Sequence, residues 1–194
     1  IACPTVPSYE RLRPQHWAGA YRVWGHENRE AALRFITGMA GGRQDTAIAE
    51  HAEAIYRSPS SFVAGNPQGD VSMVAFFDYN CPYCKQAAPE IDALLEADKS
   101  VRLVLREWPI LSEGSAFAAR AALASRVQGK YAEFHEALMT MRGKLEADTI
   151  LRIAGETGLD VDKLQVDMKS PEVEEHIATS MRLAEALGFN GTPA

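Results

Sequence analysis

The stretch Val71 to Pro89, VSMVAFFDYNCPYCKQAAP, constrains this chain more than any other part of it. Val71, Met73, Val74, Ala75, Phe76 and Phe77 form a nearly unbroken apolar, β-prone run, the pattern of a strand covered on both faces in a parallel sheet. Asp78-Tyr79-Asn80 break the run, and Pro82 suits the first turn of a helix, where its missing N–H costs nothing. Cys81 and Cys84 therefore stand at a helix N-terminus. Unpaired N–H groups and the helix dipole favour an anionic sulfur there, which makes Cys81 the expected nucleophile. Positions i and i+3 share one helix face, so Cys84 is placed to resolve a mixed disulfide formed on Cys81. The expectation is an exposed Cys81 and a more buried Cys84.

A CxxC is also half of a zinc site, but a zinc site needs a second ligand pair. Cys3 is distant, and His16, His26, His51, His135 and His176 are scattered. A structural disulfide is the other alternative, although so small a loop gains little from closure. The pair thus reads as redox-active, with no metal and no bound cofactor. Cys3 is left over as a free thiol or a small buried apolar residue.

Composition narrows the partners. A chain of 194 residues with 46% hydrophobic content can bury a real core, and a formal charge of -6 lacks the basic face that nucleic acid demands. No apolar run approaches the roughly 20 residues of a membrane span. The chain opens at Ile1 with no basic segment leading into an apolar one, so a signal peptide is not visible.

Residues 1–43 differ in character from the rest. They carry Trp17, Trp24 and many arginines and end in Gly38, Gly41 and Gly42; the domain boundary is placed here, with a second domain over 44–194. Thr46 to Arg57 has amphipathic helical spacing, and the turn-rich segments Ser58–Ser61 and Gly65–Asp70 lead to the central strand. After the CxxC helix, Val101 to Trp108 reads as a second strand. Strand, helix and strand in that order make a βαβ unit with parallel strands and a right-handed crossover. Helices are expected over Gly114–Gln128, Lys130–Met141, Asp148–Thr157, Val161–Met168 and Pro171–Leu187, a helical insertion over about 112–187.

Two resemblances follow from these residues. FFDYNCPYC, REWPIL at Arg106 to Leu111, the long helical insertion and the closing GFNGTPA resemble the DsbA-like thioredoxin-fold family over about residues 46–194. The resemblance implies an α/β thioredoxin-like fold with a helical insertion, and a periplasmic or otherwise extracytoplasmic thiol-disulfide oxidoreductase. Client proteins with thiols or disulfides would be its substrates, and a redox partner, unidentified, would reset it. It also implies that Pro193 is the family's cis-proline, facing the CxxC and binding substrate backbone, with Thr192 before it. At the other end, PTVPSYERLRP and WAGAYRVWGHENREAALR resemble a glutamine synthetase fragment, which places nucleotide- and glutamate-contacting arginines around Arg29 and Arg34; Pro7 stands where that family usually has Asn.

The chain departs from the DsbA-like pattern in two ways. The buried acid that many relatives carry before the Phe-Phe pair is Ala75 here, leaving proton transfer to water or another group such as Glu107. The chain also stops at Ala194, before the expected closing hairpin and helix, which leaves a C-terminally incomplete fold with a two-stranded sheet. A second reading is therefore a non-catalytic fusion or truncated remnant in which neither part is complete.

Overall fold

The computed structural model describes residues 43 to 194, and the readings of Cys3, Arg29 and Arg34 lie outside the described residues. Backbone contacts divide the chain between Asp45 and Thr46. Three strands form the sheet: β1 (Phe62–Gly65), β2 (Val71–Phe77) and β3 (Val101–Glu107), in the order β1-β3-β2. β2 and β3 run parallel in the register Val71↔Val101 to Phe77↔Glu107. β1 pairs with the other edge of β3 in antiparallel fashion, Phe62 opposite Leu105 and Gly65 opposite Arg102. The expected two-stranded sheet is thus corrected to three strands among the described residues. FVAG lies between turn signals and is too short to show a period of its own, and the pairing that stabilises it is with a strand far along the chain. Gly65 closes β1 at φ +71°, and a Cβ there would stand 2.6 Å from the Val101 carbonyl oxygen.

Helices cover both faces of the sheet. The expected helix over Thr46–Arg57 is two helices, α1 (Arg43–Glu50) and α2 (Ala52–Tyr56), separated at His51, where ψ turns to 12°. α3 (Pro82–Ala97) carries the CxxC and runs on through Pro89. The insertion comprises α4 (Glu113–Ser125), a 3-10 turn (Arg126–Gln128), α5 (Tyr131–Thr140), α6 (Ala147–Glu156), α7 (Val161–Asp167) and α8 (Pro171–Ala186). These match the helices read from periodicity to within a few residues, because their caps are written locally: Ser112, Asp160 and Ser170 each accept a backbone N–H three residues on.

The alternation along β2 and β3 sends side chains into two cores. Phe77, Leu103 and Leu105 join Phe134, Leu138, Leu145, Ile150 and Leu164 of the insertion. On the opposite face Phe76 and Trp108 meet Ile55 of α2, Leu183 of α8 and Leu187, which caps α8. β3 is central and almost wholly buried, as a strand flanked by two others and covered on both faces must be. The arrangement presents the C-terminal ends of β2 and β3 to the turn that carries Cys81.

Candidate active site

The turn after β2 is fixed by one carboxylate. Asp78 is 1% exposed; its Oδ1 accepts the Asn80 N–H at 2.7 Å, and its Oδ2 accepts the Ile110 and Leu111 N–H groups at 2.9 and 3.0 Å. Its own carbonyl accepts the Cys81 N–H at 3.0 Å. Asp78 thereby ties the loop after β3 to the start of the CxxC. Sequence reasoning treated it only as a strand breaker, although an Asp two residues before a turn amide is an available signal for such a bond.

Cys81 is the N-cap of α3, in an extended conformation, and its Sγ accepts the Cys84 N–H at 3.3 Å. Pro82 occupies the first helical turn, as read from the sequence. Both cysteines are free thiols. Each is 3% exposed, which corrects the expectation of an exposed Cys81. The cause is the C-terminal run: the Thr192–Pro193 peptide is cis, and the Cys81 thiol lies 3.3 Å from the Thr192 carbonyl oxygen, to which it donates. Ala194 exchanges two backbone bonds with Phe76, of 2.8 and 3.0 Å, and so seats that run beside β2. The structure therefore brings Cys81, Cys84, Thr192 and Pro193 together, although Thr192 follows Cys81 by 111 positions.

The two sulfurs have different surroundings. Burial pushes the Cys84 thiol up to about 12; the Asp78 backbone and the Thr192 hydroxyl draw it down, and the neighbouring Cys81 raises it. Cys84 is accordingly held as a thiol at neutral pH and needs a proton acceptor before it can attack. Beside it, an open groove of about 1280 Å³ runs along α3 from Cys84 and Pro193 over Ala75 to Leu95, with His135 on its wall. Ala75 puts no carboxyl into this groove, as the sequence indicated.

Glu107 does not serve as the missing acid. It is 1% exposed, Tyr131 donates to its Oε1, and its Oε2 stands 2.8 Å from His176 Nε2. Burial raises its carboxyl, but His176, Tyr131 and its own backbone together bring it below the ordinary carboxylate range. The carboxylate is committed to the helical insertion. His176 in turn contacts Ser60 Oγ through Nδ1 at 2.9 Å and is 1% exposed. His135 meets the Tyr79 hydroxyl at 2.9 Å and packs against Phe77 and Tyr131. Among the described residues, no group of three or more His, Cys, Asp or Glu side chains is arranged to hold a metal ion. No described helix is long and apolar enough to cross a membrane.

The fold and this site define a class, and comparison with known proteins gives the same one. The chain belongs to the DSBA-like thioredoxin domain family, whose model matches residues 72–194. A thioredoxin-like oxidoreductase from Silicibacter pomeroyi is 61% identical, with a TM-score of 0.72 over 73% of this chain and 82% of that one. The thiol-disulfide exchange protein alpha-DsbA2 of Wolbachia pipientis is 30% identical, with a TM-score of 0.72 over 77% of this chain and 82% of that one. The Na(+)/H(+) antiporter NhaA 3 of Salinispora tropica is 32% identical over 133 residues, which are 68% of this chain and 20% of that protein. The chain thus spans about a fifth of the length of the curated antiporter relatives it matches. Residues 1–59 match the catalytic domain of glutamine synthetase, so the N-terminal resemblance is to a fragment of that family.

Proposed function

We propose that the chain catalyses thiol-disulfide exchange on client proteins through Cys81 and Cys84, forming, reducing or shuffling their disulfides. The observation that carries this reading is the pair of sulfurs at the α3 N-terminus, with the Thr192 carbonyl 3.3 Å from Cys81. In the oxidising direction a client thiolate attacks Sγ of Cys81 in the Cys81–Cys84 disulfide. That bond breaks, and Cys84 leaves with the electron pair and takes up a proton. A second client thiolate then attacks the client sulfur of the mixed disulfide and releases Cys81. Two electrons pass from client to protein, and a disulfide-bearing redox partner takes them back.

Thr192 and Pro193 border the sulfurs and would meet the client backbone, while Tyr83, Ile110 and Leu111 at 69%, 39% and 52% exposure offer apolar contact beside the motif. Such chemistry belongs in an extracytoplasmic compartment such as the periplasm, where disulfides persist. The boundary near residue 43 is part of the same reading, with residues 44–194 as the redox domain and the region before it an extension without synthetase activity. The contact division between Asp45 and Thr46 supports it, although the synthetase-like similarity continues to residue 59.

The test is the rate of exchange with a dithiol peptide, before and after Cys81→Ser. The substitution is expected to abolish exchange; equal rates would overturn the proposal and favour a non-catalytic remnant.

A further inference from the structure

The side chain immediately before Cys81 bonds away from the sulfurs. Asn80 Oδ1 accepts the Leu145 N–H at 2.7 Å, and its Nδ2 donates to the Leu145 carbonyl at 3.1 Å. These two bonds fix the orientation of the amide, since only its oxygen can meet an N–H and only its nitrogen a carbonyl. Nδ2 also reaches Ser112 Oγ at 3.1 Å and Ser115 Oγ at 3.4 Å, at the N-terminus of α4. Leu145 is wholly buried and precedes α6. One side chain thus holds two separate parts of the helical insertion.

The opposite end of the same loop is tied as well. Lys85 Nζ, one residue after Cys84, donates to the Met141 carbonyl at 2.7 Å. The 141–145 loop is therefore gripped by the residues on either side of the CxxC. Gly114 makes room for the clasp: a Cβ there would lie 2.1 Å from the Leu145 carbonyl oxygen and 3.3 Å from Asn80 Nδ2.

We infer that Asn80 is a positioning residue that sets the redox equilibrium of the Cys81–Cys84 pair by locking the catalytic turn to the helical insertion. This rests on the redox reading proposed above. The Cys84 N–H stays on Cys81 Sγ only while the turn is rigid. A loosened turn loses that donor, which weakens the reduced pair, where Cys81 Sγ accepts the Cys84 N–H at 3.3 Å, more than a disulfide in which that sulfur is bonded to Cys84 Sγ. The protein then becomes a weaker oxidant.

The experiment equilibrates the full chain with glutathione buffers, in which two glutathione thiols reduce the Cys81–Cys84 disulfide and leave as one glutathione disulfide. Asn80→Ala and Gly114→Ala are each expected to lower the equilibrium constant for reduction about tenfold, or about 30 mV for a two-electron couple. Leu164→Val, within the insertion but sharing no hydrogen bond with the clasp, is expected to lower Tm and leave the equilibrium constant unchanged. Where Asn80→Ala does not fold, Gly114→Ala decides, since it displaces the Leu145 carbonyl from the far side. Equilibrium constants within twofold of the unsubstituted chain, or an equal shift in Leu164→Val, would overturn the inference. An unsubstituted chain that does not exchange with glutathione at all would overturn the redox reading itself, and this inference with it.

Discussion

Residues close in sequence to the motif behave as their spacing suggests, and residues brought in from a distance do not announce themselves. Cys81, Pro82 and Cys84 take the helix-terminal positions that a CPYC after an apolar run requires. Asn80 read only as a strand breaker, because its partners lie 32 to 65 positions away and nothing local encodes them. His135, on α5, stands against Tyr79 and Phe77. Burial draws its imidazole down to about 4. A depressed histidine contributes stability that is present above its ordinary value near 6.5 and is lost as pH falls through 4, an effect of about 3 kcal/mol. His135→Asn, which keeps a polar atom near the Tyr79 hydroxyl, is expected to flatten the urea-midpoint profile between pH 6.5 and 4. An unchanged slope would show that another group governs acid lability there.

The junction of β3 with α5 and α8 shows how elements depend on one another. Glu107 ends β3, Tyr131 opens α5 and His176 lies in α8, and the three share one buried polar network. Removing the carboxylate leaves the buried Tyr131 hydroxyl and His176 imidazole short of their acceptor, at a cost of about 2 kcal/mol. Glu107→Gln is therefore expected to lower the urea midpoint at pH 7 with little change in m. Because the Glu107 carboxyl is held below the usual range, its contribution is present above about pH 4.5 and fades only in stronger acid, apart from the His135 window. A Glu107→Gln chain as stable as the original at pH 7 would mean the network is neutral. Of the elements, the helices were legible because caps and period are local. β1 was not, since four residues between turns carry too little pattern, and it is held by its pairing with β3.

Across the molecule, the helices on both faces of the small sheet immobilise the ends of β2 and β3, and the site is assembled where those ends meet the terminal Thr192–Pro193 run. The α/β class and the position of Cys81 and Cys84 at a helix start were readable from the order of strand, motif, strand and helices. The coverage of Cys81 was not, because it depends on that run folding back to hydrogen-bond with Phe76. In the reducing direction of the proposed exchange, Cys81 attacks a client disulfide and Cys84 resolves the mixed disulfide. This central claim is tested most directly by incubating the Cys84→Ser chain with an oxidised cysteine peptide and mapping the adduct by mass spectrometry. A stable mixed disulfide on Cys81, discharged rapidly when Cys84 is present, is the result predicted; no adduct, or an adduct on Cys3 alone, would contradict the account.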